Sequence, residues 1–395
     1  MNELKAKIKE EIKLLSEEKK TSFEKVSDYL FSNPELAFEE YKSQKALCDL
    51  LEENEFNVTK GVGGLETSFE AVYSNGTNGK TVAFLAEYDA LPGMGHACGH
   101  NIIGTSSVGA GIILKEIMKK HNIEGTVKVF GTPAEERVGG KITMIKEGVF
   151  NNVDAALILH PSDASMPDDI SFAQVNLKFD FTGKASHAAA FPWEGKSALS
   201  GVIALFNSVN SMRLHLKDYA RVHGIITDGG SIHNIIPEKS TAIFNVRALS
   251  IEYLNEICEM LKNCAKGAAI STGTNVEIVQ LDEIYKEIKN DSELVNIVRQ
   301  NFEVLGEDYV ERDLSQGIGS TDTGNLTHEI PAIQAYIKLK ENTATHTDEF
   351  AVAAGGEEGR VALIKAIKVL DLCGVVFLYI KLFFFFCQAY RQSTS

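Results

Sequence analysis

The chain has 395 residues, and at roughly 150 residues per domain that length implies two to three domains. Hydrophobic residues make up 44% and charged residues 24%, which argues against collagen, a disordered chain and a disulfide scaffold. A formal charge of −15 with no local basic patch argues against nucleic acid as a partner.

The six cysteines (Cys48, Cys98, Cys258, Cys264, Cys373 and Cys387) are scattered and form no CxxC pair. They read as apolar thiols of a reducing compartment rather than as bridges. The N-terminal MNELKAKIKEEIKLLSEEKK alternates charge on a helical period and offers no apolar stretch for a signal peptide, so a cytoplasmic protein is expected.

In chain order, residues 1–58 predict helices, with Leu30, Leu36, Leu47, Leu50 and Leu51 three and four apart and Pro34 as a break. Short apolar runs at 81–85, 127–130 and 155–159 then alternate with a helical stretch at 106–119. That alternation predicts an α/β domain with a mostly parallel sheet, whose ligands gather at the carboxyl ends of the strands. Residues 170–283 change the order to strand (172–181), helix (195–212), strand (220–227), strand (240–248), helix (251–268) and strand (275–280). This is the βαββαβ order of a ferredoxin-like α+β unit. The α/β pattern resumes with a helix at 291–305, a turn-rich stretch at 317–325, an apolar run at 332–337 and a helix at 353–370. The expected organisation is therefore a first catalytic part (1–169), an inserted lid (170–283), a second catalytic part (284–370) and a tail (371–395). From 372 to 387 the tail is apolar except Lys381, too short for the ~20 residues that span a bilayer. A buried terminal segment, an altered tail after a helix ending near Leu370 and a membrane-contacting stretch all remain open for it.

Four segments carry candidate chemistry. In EYDALPGMGHACGHN (87–101), Cys98 and His100 are soft and borderline donors suited to zinc or a similar divalent ion, although a CxH pair alone is equally a buried thiol beside a histidine. In GTPAEE (131–136), Glu135 and Glu136 follow a strand, and because successive side chains diverge, one can hold a metal while the other faces the attacking water as general base. His160 closes the apolar run at 155–159, and His346 lies in the late segment TATHTDE. Cys98, His100, Glu136, His160 and His346, each beside a strand end, supply enough donors for two ions.

These segments, with GKASHAAAFPWEGKSAL, HNIIPEKSTAIFNVRA, GSTDTGN and THTDEF in that order, resemble the metal-dependent amidohydrolase and exopeptidase family. That family includes carboxypeptidase G, aminoacylase, the auxin-conjugate amidohydrolases and p-aminobenzoyl-glutamate hydrolase. Within it, EYDALPGMGHACGHN is most similar to the branch of p-aminobenzoyl-glutamate hydrolase and the dipeptidases that cleave aminoacyl-lysine, ornithine or arginine bonds. The resemblance runs from about residue 20 to 370. It implies that Cys98, His100, Glu136, His160 and His346 bind two divalent ions, zinc or manganese, with Glu135 as base and Asp89 orienting a ligand from behind. It further implies that His187 stabilises the oxyanion, often from a partner subunit, that Asn234 and Arg247 hold a substrate carboxylate, and that Gly319 and Ser320 line the substrate. The chain departs from the pattern at Glu87, where carboxypeptidase-type members have a histidine ligand, and at Asn101, where many cysteine-type relatives have Asp.

The expected activity is hydrolysis of the amide bond of N-acyl amino acids or dipeptides with a free carboxylate, in a homodimer paired through the lid. The alternative is a non-catalytic metal-binding or ligand-binding relative, for which an intact Glu135 beside Glu136 would have no use. The absence of a PCxxC pair and of HExxH sets aside a zinc deaminase and a thermolysin-like protease.

Overall fold

The computed structural model describes residues 2–315 and 317–392, with side chains described for 6–315 and 317–379. It comprises two compact units, one of Met1–Ile170, Ile288–Gly317 and Asn325–Ser395, the other of Ser171–Glu287 and Ile318–Gly324.

In the first unit, helices α1 (Asn2–Ser32) and α2 (Tyr41–Glu53) precede β1 (Asn57–Lys60) and β2 (Phe69–Asn75). There follow β3 (Thr81–Ala86), α3 (His100–His121), β4 (Gly125–Gly131), α4 (Gly140–Lys146) and β5 (Ala155–Ser162). The six-stranded sheet has the order β1-β2-β4-β3-β5, closed on its far side by a strand from late in the chain, β10 (Ala332–Lys338). Strands β4, β3, β5 and β10 are parallel, while β1 and β2 add an antiparallel edge that the sequence pattern did not reveal.

The parallel strands are covered on both faces, which is why they read as unbroken apolar runs. Val82, Phe84, Val127, Val129, Ala155 and Leu157 belong to the core on one face, with residues of α1, α3 and the C-terminal helix. Ala83, Leu85, Phe130, Ala156 and Ile158 belong to a smaller core on the other face, with Met144 and Phe150.

The second unit runs β6 (Ala173–Thr182), α5 (Ala198–Arg213), β7 (Arg221–Asp228), β8 (Lys239–Ala248), α6 (Ile251–Thr272) and β9 (Asn275–Gln280). Its antiparallel sheet has the order β7-β8-β6-β9. Numbered within the unit this is 2-3-1-4, the ferredoxin-like arrangement. Alternate residues of β6 (Ala173, Val175, Leu177, Phe179 and Phe181) are buried in a core shared with α5 and α6. The sheet is thus packed on one side only, as its strict alternation demands. Both helices start on a serine whose hydroxyl accepts a backbone N–H of the first turn, Ser197 from Ser200 and Ser250 from Tyr253. The segment 318–324 belongs to this unit and not to the second catalytic part, because Phe172 donates its N–H to Gly319 and Arg247 reaches Ser320.

The first unit resumes with α7 (Ser292–Leu305), then α8 (Thr323–Thr327), which straddles the boundary of the two units, β10, α9 (Asp348–Ala354) and α10 (Glu357–Gln392). The expected helix end near Leu370 is not observed. α10 continues, because Leu372, Cys373, Val375, Phe377 and Leu378 supply buried contacts to the same core that holds α3. The rest of the apolar run, from 380 onward, has its side chains outside the described residues. Among the described residues no helix is long and apolar enough to cross a membrane.

One residue of α10 conflicts with its surroundings. Asp371 is fully buried, and among the described residues neither of its carboxylate oxygens has a hydrogen-bond partner. Burial pushes its pKa well above the ordinary aspartate range. A native pKa above the unfolded one means that the folded chain holds the proton more tightly. The stability cost is therefore absent below the ordinary value near 3.9 and grows as pH rises toward the native value. Asp371→Asn should accordingly raise the melting temperature at pH 8, by about 1–3 kcal/mol in free energy, and change little at pH 4. Equal shifts at both pH values in thermal melts would refute this account.

Candidate active site

The donors gather at the carboxyl ends of the parallel strands. Glu87 and Asp89 follow β3, Glu135 and Glu136 follow β4, His160 lies near the end of β5, and His346 lies in the loop after β10. His160 is inside its strand, which extends to Ser162 and pairs with β10 as far as Ser162 opposite Lys338.

The loop that carries Cys98 turns into α3 at Gly99, whose φ of 78° falls in the left-handed region. A Cβ there would also stand 2.4 Å from Pro161 Cγ, so only glycine lets this loop lie against β5. His100 opens the helix and Asn101 follows it into the interior. The Asn101 amide donates to Ser27 Oγ at 3.0 Å and to the Ala354 carbonyl at 3.2 Å, bonds that an aspartate at this position could not donate. His346 has φ 62°, with its N–H donated to the Ala97 carbonyl at 2.9 Å. Thr347 caps α9 immediately after it by accepting the Phe350 N–H.

Hydrogen bonds define which ring nitrogens point inward. His100 Nδ1 faces Asp89 Oδ1 at 3.0 Å, and a carboxylate can only accept, so Nδ1 carries a proton and Nε2 is the ring atom left to face the other donors. His160 Nδ1 likewise faces the Pro161 carbonyl at 2.7 Å, which leaves Nε2 as the free donor atom, 3.4 Å from Cys98 Sγ. Burial pushes the His160 pKa down to about 4, so the ring is neutral. Asp89 uses its second oxygen to accept the Glu136 N–H at 3.0 Å and so joins the two histidine-bearing and glutamate-bearing loops.

The arrangement suits divalent cations. Cys98, His100 and His160 bring one donor atom each within 4.8 Å of one another; so do Cys98, Glu136 and His346, and so do His100, Glu135 and Glu136. Cys98 is common to the first two groups and can bridge. His100 Nε2 and Glu136 Oε1 are buried without a hydrogen-bond partner among the described residues, although they stand only 3.8 Å apart. Two orphaned donors aimed at one point are a cost that a cation between them removes. Burial opposes charge on His100, but Asp89 foremost outweighs it and holds its pKa well above the imidazole range, so a cation at Nε2 must displace a proton. The same negative field attracts a metal ion. Burial drives the Cys98 thiol well up, so it keeps its proton until a cation displaces it.

Two buried residues near the site, Lys141 and Glu40, were not singled out by sequence reasoning. Glu87 and Lys141 form an ion pair of 2.5 Å with both side chains inaccessible, and the other Glu87 oxygen lies 3.6 Å from His100 Nε2. Glu40 reaches the GTPAEE loop from between α1 and α2, where its Oε1 accepts the Ala134 N–H at 3.0 Å. Ala134 has φ 61°, a left-handed conformation that costs a residue with a Cβ about 1–2 kcal/mol. Neither group has a local sequence signal; only a charged residue in an otherwise buried helix turn hints at Lys141.

The second unit holds the remaining candidates, at two different places. His187 and Asn234 are neighbours: the His187 backbone bridges Ile235, and the Ala188 N–H bonds the Asn234 carbonyl at 3.0 Å. His187 Nδ1 accepts from the backbone N–H groups of Ala189 and Ala190, so its proton sits on the exposed Nε2. Arg247 instead lies with Ser320, 3.4 Å from its hydroxyl, and beside Gly319, which is bonded to Phe172. Asn234 precedes β8 and Arg247 nearly ends it. At about 3.3 Å per residue the strand separates them by roughly 25 Å. Within one chain the two residues therefore stand at opposite ends of β8.

Residues 80–368 match the profile of Peptidase family M20/M25/M40. The chain is 35% identical to a Xaa-Arg dipeptidase of Mus musculus, over 88% of this chain and 83% of that protein. It is 31% identical to one of the subunits of the p-aminobenzoyl-glutamate hydrolase of Escherichia coli (strain K12), over 86% of this chain and 71% of that one. Its fold is similar to that of the Bacillus subtilis YXEP protein, a dinuclear metal binding peptidase, with a TM-score of 0.71 and 21% identity over 89% of this chain and 97% of that one. With donor groups clustered at the strand ends of such a fold, and with this extent of shared sequence, the chain belongs to peptidase family M20/M25/M40 and is a metal-dependent hydrolase.

Proposed function

We propose that this protein binds two divalent ions and hydrolyses the amide bond of N-acyl amino acids or dipeptides that carry a free carboxylate. The observation that carries the reading is the pair of donor groups sharing Cys98, with Glu135 inside the neighbouring cluster. Cys98, His100 and His160 would hold one ion, and Cys98, Glu136 and His346 the other. Bound divalent cations supply Lewis acidity, polarising the scissile carbonyl and making water easier to deprotonate. Glu135 takes the proton of the attacking water on its carboxylate and delivers it to the nitrogen of the leaving amine. His187 offers its Nε2 proton to the carbonyl oxygen as that oxygen gains charge. Asp89 holds the His100 tautomer, and Arg247 with Ser320 and Gly319 contacts the substrate away from the scissile bond.

Dipeptides ending in arginine or lysine and p-aminobenzoyl-glutamate are the first substrates to test, from the names of the two relatives. The metal is zinc or manganese. The second unit supports a lid that also pairs two chains. Its edge strand β7 exposes Ile225 and Ile226, and a sheet edge of this kind accepts a second strand. The five described cysteines are all unpaired, which supports a reducing, cytoplasmic setting.

The test is chelation followed by assay of a dipeptide and N-acyl amino acid panel, with zinc, manganese and cobalt added back separately. Chelation should abolish hydrolysis and one of the metals should restore it. Cys98→Ala should lower the metal content of the purified protein. Full activity of metal-free protein would end this reading.

A further inference from the structure

Two backbone N–H groups flank the peptide of Glu135, and each is held by a buried carboxylate from elsewhere in the chain. Asp89 takes that of Glu136 at 3.0 Å, and Glu40, 94 residues before its partner, takes that of Ala134 at 3.0 Å. Ala134 occupies the left-handed region at φ 61°, and its own side chain gives it no reason to do so. Glu40 itself is fully buried, and its Oε2 has no hydrogen-bond partner among the described residues. A carboxyl kept in such a place for one hydrogen bond is a costly way to fill space, since a methionine would pack there without desolvating a polar group.

We propose that Glu40 is a positioning residue for the general base. Its Oε1 fixes the Ala134 peptide in the left-handed turn, and this turn sets the divergence of the two side chains that follow. Glu135 is thereby aimed at the attacking water while Glu136 stays with the metal donors. The inference rests on the reading of Glu135 as the base. It assigns to Glu40 an effect on rate, not on metal or substrate affinity, because Glu136 keeps its own anchor through Asp89.

The experiment compares Glu40→Met, Glu40→Asp and Glu40→Gln in the full chain, with kcat, KM, metal content and thermal stability measured for each. Met fits a buried site and removes the acceptor; Asp keeps the carboxyl but draws the acceptor back by one methylene. Both should lose about tenfold to a hundredfold in kcat, the penalty of a base displaced by an ångström or less, with KM and metal content within about twofold of the parent. Gln retains an oxygen for the Ala134 N–H and should recover most of that loss. Adding Ala134→Gly to Glu40→Met should recover part of it, because glycine adopts the turn without an anchor. A folded Met or Asp variant with parental kcat, a Gln variant as slow as Met, or a loss of metal that accounts for the lost rate would each overturn the proposal. Should Glu135→Gln itself keep its rate, the failure lies with the assignment of the base and not with Glu40.

Discussion

Glu135→Gln should lower kcat by at least ~10² while the protein retains its metal, and Glu136→Gln should lose metal. The two side chains are adjacent, of one type, and both within 4.8 Å of His100, so composition does not distinguish them. Their other neighbours do. Glu136 Oε1 lies 3.4 Å from His346 Nε2, and Cys98, Glu136 and His346 form a donor group to which Glu135 does not contribute. The interactions with His346 and His100 outweigh burial and hold the Glu136 carboxyl below its usual range, so it is an anion ready for a cation. Glutamine keeps the size and the hydrogen-bonding oxygen at either position but can neither accept a proton nor offer a charged ligand. Metal analysis and kcat for the two variants separate the roles. Loss of metal in both, with no ion retained in either, would show that the pair acts together and not as base and ligand.

The elements that sequence periodicity placed well are those whose burial is uniform. The runs at 81–85, 127–130 and 155–159 lie within β3, β4 and β5, because a parallel strand covered on both faces must be apolar throughout. The second unit was legible for the opposite reason, its one covered face imprinting a period of two on β6. β1 and β2 escaped because one is four residues long and exposed and the other mixes burial along its length. Helix α10 was cut short by a mixed signal: Asp371 and the apolar run beyond it do not look like one amphipathic face, yet the helix enters a core on nearly all sides.

At the site, the donors were readable because sulfur, imidazole and paired carboxylates at strand ends are chemically conspicuous. What holds them was not. Glu40 and Lys141 act through contacts with residues far away in sequence, and a glutamate in NPELAFEE carries no local mark of its bond to Ala134. Asn234 and Arg247 show how little spacing in sequence says of distance. Thirteen positions is a short step in sequence, but an intervening extended strand turns it into the length of a sheet.

That separation bears on how a complete site is assembled. Arg247, Ser320 and Gly319 lie together at one end of the β6–β8 pair, where Phe172 bonds Gly319 and Arg247 reaches Ser320. His187 and Asn234 lie beyond the opposite ends of β6 and β8, on a ribbon that continues their pairing through Gly183 with Glu238 and Ser186 with Ile236. If His187 serves the metal donors of a second copy rather than those of its own chain, two inactive chains can complement each other. The trans arrangement then makes a quantitative prediction. His187→Ala and Glu135→Gln should each be inactive alone. Mixed under conditions of subunit exchange, half of the randomly formed dimers contain one chain of each kind. Each such dimer has one site with an intact Glu135 and an intact His187, and one site with neither, so activity should return to roughly a quarter of the parental value. In the cis arrangement every site in every dimer lacks one of the two groups, and mixing restores nothing. Heterodimers demonstrated by differently tagged chains, yet without activity, would place His187 in its own chain's site, and a monomer in solution would remove the trans arrangement altogether.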